Sequence, residues 1–483
     1  MKNSYKNEAV NGVKWTSLSS VFTAGGSFVL ILILTNILDK EDFGLFALVN
    51  IVVGFSAEFV DIGISQAIVQ KQSINKKQLS TLYWINIILA LLVFLVINAS
   101  KSFIGDFYDE AELPKLLGLV SFSFLFSGLS AQYQALLQKE LLFKIMAILD
   151  MIAFVVYLSV TLSLAYYGYG VYALVWGTLA RTGVKSMLLL ITGLKTHIPS
   201  FYFSLKEVGY FLNFGSFRTG SFLVSFLNTQ LDSILIGKFI GVGELGIYDV
   251  FKRIVKQPIR LLSPIIQKVT YPLMAKVHED KQRISNMFIR ILELLNLIRF
   301  PIFIGIALVA PEIVNLFLGD AWADSYIVLQ VLAFVFLFNT LQSFVGVSML
   351  SSGKSNWNFY NNLVQLPFNI AAIYIGSNWG IEGIAIALLI KSLINIYPRY
   401  VIILRRIYTI RLSKYLILIF KDLLVLVPIS ILIMLISNRI LFNDYISIIL
   451  KLFAFMLIIC LYYLKFEKSS IIYLKSLIDD KKT

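Results

Sequence analysis

Between Lys252 and Arg260 the chain sets four cations, Lys252, Arg253, Lys256 and Arg260, beside the acid Asp249. Steps of three and four residues put them on one side of a helix over three turns. Arg218, Ser221, Ser225, Asn228 and Asp232 form a second polar stripe at the same spacing. A third runs through Asn50, Gly54, Glu58, Asp61 and Ser65, and a fourth, of small and hydroxyl-bearing residues, through Thr16, Ser19, Thr23 and Gly26. Guanidinium and ammonium groups clustered in this way bind oxyanions, phosphates above all. The carboxylates Glu58, Asp61, Asp232 and Asp249, with the Asn228 amide, suit either an exchangeable H⁺ or Na⁺ or simple pairing with neighbouring cations.

The stripes lie in stretches so apolar that water cannot be their main solvent. Of 483 residues, 58% are hydrophobic and 14% charged, against roughly half and a quarter in soluble domains. A soluble fold would leave apolar patches far above the few hundred Å² that drive association. Cytosolic enzymes and secreted domains are thereby excluded. One cysteine, Cys460, and two separated histidines, His197 and His278, leave no material for a disulfide, a zinc site or a Ser-His-Asp triad. No Gly-rich phosphate cradle of the Walker type occurs, which argues against direct ATP coupling. No catalytic residue, metal ligand or cofactor is expected, and the protein reads as a non-enzyme. The first apolar run continues past the length of a signal-peptide core, so the N-terminus reads as retained.

A crossing helix needs about 20 apolar residues. Such stretches fall near 14–37, 43–69, 81–99, 115–137, 145–167 and 170–193, then near 208–236, 244–274, 285–310, 325–350, 357–376 and 380–404, with a last pair near 415–437 and 445–465. This predicts an all-α integral membrane protein of about 14 transmembrane helices. Lys and Arg sort to one side: Lys71, Lys76 and Lys77; Lys139 and Lys144; Lys195 and Lys206; Lys276, Lys281 and Arg283; Lys354; Arg399 to Lys414; and the tail from Lys465. The opposite loops read DKED at 39–42, GDFYDEAEL at 105–113, YGYG at 167–170 and GDAWADS at 319–325. Both termini are therefore expected in the cytoplasm. The net charge of +14 is then largely topological. Nucleic-acid binding would want a basic face on a soluble module, and none exists.

The two series of six spans read as copies. Asp42-Phe43-Gly44-Leu45-Phe46 opens the second span and Glu244-Leu245-Gly246-Ile247-Tyr248 the eighth: acid, apolar, glycine, apolar, aromatic in register. Leu137-Gln138-Lys139 parallels Ser352-Gly353-Lys354, and Gly170-Val171-Tyr172-Ala173 parallels Gly383-Ile384-Ala385-Ile386. Six spans return the chain to its starting side, so the copies are parallel, a transporter symmetry with the substrate site between lobes. The expected organisation is an N-terminal six-helix lobe at 1–198, a second at 199–408, two more transmembrane helices at 409–466 and a cytoplasmic tail at 467–483.

Magnitudes decide where the polar stripes can face. Each mid-helix Lys, Arg or Asp costs roughly 2.5–3.5 kcal/mol in lipid. The four cations of the eighth span would cost on the order of 10 kcal/mol there, so they must face water, an anion or acidic partners. Pro258 and Pro264 are expected to interrupt that span, and Gly25, Gly26 and Gly215 to loosen the first and seventh. The tryptophans, Trp15, Trp84, Trp176, Trp322, Trp357 and Trp379, fall near span ends and read as an interfacial belt.

Asn228-Thr229-Gln230-Leu231-Asp232-Ser233-Ile234-Leu235-Ile236-Gly237, then Gly246-Ile247-Tyr248, Pro258 and Tyr271-Pro272, resembles polysaccharide exporters of the Wzx type. Leu136-Leu137-Gln138-Lys139-Glu140-Leu141-Leu142-Phe143 and Asp61-Ile62-Gly63 are similar to the WzxC-like branch. That family belongs to the multidrug/oligosaccharidyl-lipid/polysaccharide (MOP) superfamily, which includes the MATE transporters, and the similarity covers nearly the whole chain. The resemblance implies two six-helix lobes with two further helices in a bacterial plasma (inner) membrane. It implies that the substrate is undecaprenyl-pyrophosphate-linked oligosaccharide, flipped to the outer leaflet for O-antigen, capsule or exopolysaccharide, with membrane lipid and other polysaccharide assembly proteins as partners. Lys252, Arg253, Lys256 and Arg260 are the expected headgroup ligands and Arg218 a further one, since the corresponding span carries cavity cations in related lipid II flippases. Those flippases also have cavity arginines on their first two spans, whereas here Thr16, Thr23, Glu58 and Asp61 make the first lobe polar to acidic. Glu58 and Asp61 are the expected H⁺ or Na⁺ sites. Competing readings are a drug/cation antiporter of the same superfamily and a membrane polymerase or ligase of polysaccharide assembly. The first wants a dominantly acidic cavity, and the second wants long outer loops.

Overall fold

Long apolar runs with no water-facing side close their backbone hydrogen bonds internally, and the described part of the chain is mostly helical. The computed structural model describes residues 2–71, 73–265, 274, 280–351, 355–439 and 444–466, and no strand occurs among them. Helices occupy every stretch in which a span is expected. In order they are α1 (Lys2–Leu34), α2 (Lys40–Asp61), α3 (Ile64–Gln70), α4 (Lys76–Tyr108), α5 (Leu113–Val120), α6 (Phe122–Lys139), α7 (Phe143–Tyr166), α8 (Val171–Gly193), α9 (Leu205–Phe239) and α10 (Val242–Ile265). Then follow α11 (Lys281–Leu308), α12 (Tyr326–Ser351), α13 (Ser355–Ser377), α14 (Gly380–Ile394), α15 (Leu412–Arg439) and α16 (Asp444–Phe466). Among the described residues, 11 helices are long and apolar enough to cross a membrane. The expected spans within α9, α10 and α13 fall outside that set because polar and charged residues dilute them. This is a multi-pass membrane protein.

The chain divides into two compact units, Met1–Asp249 and Val250–Thr483. In the first, α4, α6 and α8 pack side by side and α1 lies along α7. The small residues of α1 serve that packing: a side chain at Gly12 would run into Phe143, and one at Gly26 into Phe154. Short α3 is sealed under α4, α6 and α9 by Ile64, Ala67, Ile68, Leu82, Ala135, Val208 and Phe211. The connection from α8 to α9 is fastened to α4, with Trp84 Nε1 donating to the Ser200 carbonyl at 2.9 Å and its ring stacked on Phe201.

The two copies of the acid-apolar-glycine motif meet. A methyl added at Gly44 would stand 2.6 Å from Val242 Cγ1, and one at Gly246 would stand 2.9 Å from the Lys40 carbonyl carbon. Each glycine thus faces the backbone four residues before its counterpart, so α2 and α10 cross with almost no side chain between them. Asp42, at the head of the first copy, accepts from Val171 N at 2.8 Å and braces the N-terminus of α8, where Gly170 takes φ +52°.

In the second unit α11 packs on α12, and α13 pairs with α14 through the facing glycines Gly376 and Gly383. Helices α15 and α16 dock on α11, on the short helix Ala310–Ile313 that follows it and on each other through polar contacts at two levels. Near one end, Asn296 donates to the Leu418 carbonyl at 2.7 Å and Tyr462 to Asp422 at 3.1 Å. Near the other, Lys451 pairs with Glu312, which also accepts from Ser447 at 2.8 Å.

Three expectations change. The span at 43–69 is two helices, because Ile62 and Gly63 adopt left-handed φ of 41° and 68° and end α2; the stripe from Asn50 to Ser65 is therefore broken. Helix α10 runs through Pro258 and Pro264 to Ile265, since a proline removes one hydrogen bond without ending a helix that packing supports. Trp322 is no belt residue: it is 1% exposed and packs near Phe251. Trp176 and Trp379, at 46% and 68% exposure, do stand at the surface. The repeat partner Ser352-Gly353-Lys354 lies outside the described residues.

Candidate functional site

Helix α10 carries the densest cationic face. From Leu245 to Val255 every position but Asp249 and Arg253 is buried, and from Lys256 to Ile259 the helix is half-buried; Asp249, Arg253 and Lys256 are separated by four and three residues and so in line. Lys252 lies beside them and is 3% exposed. The Lys256 ammonium stands over the Phe336 ring, 5.7 Å from its centroid, a cation–π arrangement that favours its charged form. The side chains of Arg260 and Arg218 lie outside the described residues. What α10 offers is a row of donors with no strong base or nucleophile among them, suited to holding an anion.

The acids are placed more individually. Asp232 on α9 accepts the Tyr248 hydroxyl at 2.6 Å and Ser233 N at 2.9 Å, which ties α9 to the buried face of α10. Asn228 donates to the Val224 carbonyl of its own helix at 3.0 Å. Asp61 accepts Ser65 N at 3.0 Å and Ser65 Oγ at 2.7 Å, satisfying the first turn of α3 as a capping acid does. Glu58 is half-buried one turn earlier on α2.

The first unit is not as poor in cations as the stripes on α1 and α2 imply. Arg181 and Lys185 sit in the middle of α8. Lys185 pairs with Asp150 of α7 at 2.8 Å, and Arg181 lies 5.5 Å from the Phe154 ring centroid and 5.8 Å from that of Tyr157. Arg299 in α11, at 2% exposure, and the Glu312–Lys451 pair were also absent from the four stripes. All of these were readable as charges inside apolar stretches: Arg299, Glu312 and Lys451 stand singly in the sequence, whereas Thr178, Arg181 and Lys185 repeat at steps of three and four and could have been found as a further stripe.

Comparison with known proteins follows the same lines. Residues 33–327 match the profile of a family described as polysaccharide biosynthesis protein. The lipopolysaccharide biosynthesis protein WzxC of Escherichia coli strain K12 is 27% identical over 403 residues, 83% of this chain and 82% of the relative. The teichuronic acid biosynthesis protein TuaB of Bacillus subtilis strain 168 is 29% identical over 374 residues, 77% of each chain. The succinoglycan biosynthesis transport protein ExoT of Rhizobium meliloti strain 1021 is 27% identical over 325 residues, 66% of this chain and 65% of the relative. Among solved structures, lipid II flippase MurJ in an inward closed conformation superposes with a TM-score of 0.72 at 16% identity, over 94% of this chain and 99% of that one. An inward-facing MATE transporter of the MOP superfamily gives a TM-score of 0.58 at 16% identity, over 79% and 96%. With a matching profile over more than half its length and the fold of the MOP transporters, the chain belongs to the polysaccharide biosynthesis protein family.

Proposed function

We propose that the protein moves a polyprenyl-pyrophosphate-linked oligosaccharide, undecaprenyl the expected lipid, from the cytoplasmic to the outer leaflet of a bacterial plasma membrane by alternating access. The observation that carries the reading is the row Lys252, Arg253 and Lys256 at the end of a stretch of α10 that is buried from Leu245 to Val255 apart from Asp249 and Arg253. Cations in that setting would cost roughly 2.5–3.5 kcal/mol each against lipid, and a row of ammonium and guanidinium donors suits a pyrophosphate. Membership of a polysaccharide biosynthesis family supports the glycan end of the substrate, and the fold shared with MOP transporters supports movement over chemistry. A cationic α10 fits a drug/cation antiporter poorly.

The sorting of Lys and Arg to one set of loops supports cytoplasmic termini in this reading. An ion gradient, H⁺ or Na⁺, is the proposed drive, with Glu58 and Asp61, both half-buried near the end of α2, its candidates.

The test is the leaflet position of lipid-linked oligosaccharide in cells depleted of the protein, read with a membrane-impermeant glycan-cleaving enzyme. Accumulation on the cytoplasmic face, rescued by wild type and not by the Lys252/Arg253/Lys256/Arg260 to Ala variant, is expected. Normal delivery to the outer face without any other flippase present refutes it.

A further inference from the structure

Helix α8 has two open sides of opposite character. Its most exposed side chains, Trp176, Met187, Ile191 and Leu194, are all apolar and gather within about 60° at 100° per residue. That is the side left to lipid. Thr178, Arg181 and Lys185 are half-buried and fall roughly 120–180° round the helix from it. They face inward, next to α7, and yet are not closed over.

Arg181 is the tenth residue or so from the start of α8, roughly 15 Å along an axis that crosses about 30 Å of hydrocarbon. It is a mid-membrane cation. Asp150, the acid on the adjoining turns of α7, is taken by Lys185 at 2.8 Å. Among the described residues Arg181 therefore meets only the ring faces of Phe154 and Tyr157. Ring faces stabilise its charge but leave a planar fork of N–H donors without acceptors. Of the trio Asp150, Lys185 and Arg181, one positive charge is left over.

We propose that Arg181 is a specificity-determining residue of the transporter, binding a carboxylate on the substrate's glycan, with Thr178 and the half-buried Tyr157 beside it for the sugar hydroxyls and ring. One uncompensated guanidinium matches a monoanionic carboxylate in bidentate geometry. A pyrophosphate, with its greater charge, matches the several cations of α10. The proposal rests on the reading of the protein as a lipid-linked oligosaccharide transporter.

The test uses the full chain in proteoliposomes and two polyprenyl-pyrophosphate oligosaccharides, one with a uronic acid and one with that carboxyl reduced to the alcohol. The readout is the ratio of their translocation rates. Wild type is expected to prefer the acidic glycan, and Arg181→Gln to lower the ratio tenfold or more, the loss expected of one charge-assisted hydrogen bond of about 1.5 kcal/mol or more. Arg181→Lys, which keeps the charge but not the fork, should retain part of the preference and checks that the fold survives. An equal fall for both substrates in Arg181→Gln overturns the proposal, because Arg181 would then serve the pyrophosphate or the packing of α7 on α8. No preference in wild type overturns it as well. Failure of wild type to move either lipid strikes the transport reading itself, which separates the two failures.

Discussion

The crossing of α2 and α10 allows a quantitative prediction. A methyl at Gly44 would lie 2.7 Å from the Val242 carbonyl carbon and nearer still to its oxygen. Carbon atoms rest at about 3.5–4.0 Å, so the helices must separate by about 1 Å (3.5 − 2.7 and 4.0 − 2.7 bracket it). Forced overpacking of this kind costs about 1–3 kcal/mol. Gly246→Ala meets the Lys40 carbonyl in the same way and should cost a similar amount. Because both methyls press on one crossing, the separation forced by the first makes room for the second. The double variant should then fall short of the summed singles by 0.5 kcal/mol or more, as coupled neighbours do. Thermal or denaturant unfolding of purified protein in one detergent, followed by tryptophan fluorescence, measures all four states. Strict additivity, or singles with wild-type stability, would refute the claim that these glycines mark a backbone-to-backbone contact.

Two further outcomes follow from buried charges. Glu312→Gln should destabilise by about 3–5 kcal/mol because it leaves the buried Lys451 ammonium unpaired, whereas Glu312→Leu with Lys451→Met should recover most of the loss; the same unfolding measurement decides, and a double variant as unstable as the single would count against the pair. His197, in the connection between α8 and α9, has its pKa lowered by burial and by nearby Lys76. It stays neutral in the folded protein while the unfolded chain takes up a proton below about pH 6.5, so its contribution is complete above that pH and is lost as pH falls. His197→Gln should flatten the stability profile as pH falls below about 6.5, and an unchanged acid slope would exclude His197 as its source.

Much of this protein follows from local pattern alone. Apolar length located the long helices, because a backbone in lipid must bond within its own segment, but not the breaks that set off the short α3 and α5. The acid-apolar-glycine motif suggested a duplication, and the spacing of the cations from Lys252 to Lys256 set them on one side of a helix, since a helix repeats its faces every 3.6 residues whatever surrounds it. Which face meets which neighbour is not local. The sequence contains Gly44 and Gly246 but not their crossing, Asp42 but not its hold on Val171, and Asp232 but not the Tyr248 hydroxyl that occupies it. It contains Arg181, yet only packing places the Phe154 and Tyr157 rings beside it and gives Asp150 to Lys185. Those pairings join residues far apart in the chain, and their geometry is settled by close packing of whole helices. The composition determined the solvent, the helices and the polar faces; the tertiary structure decided which polar groups are spent on holding helices together and which are left to bind.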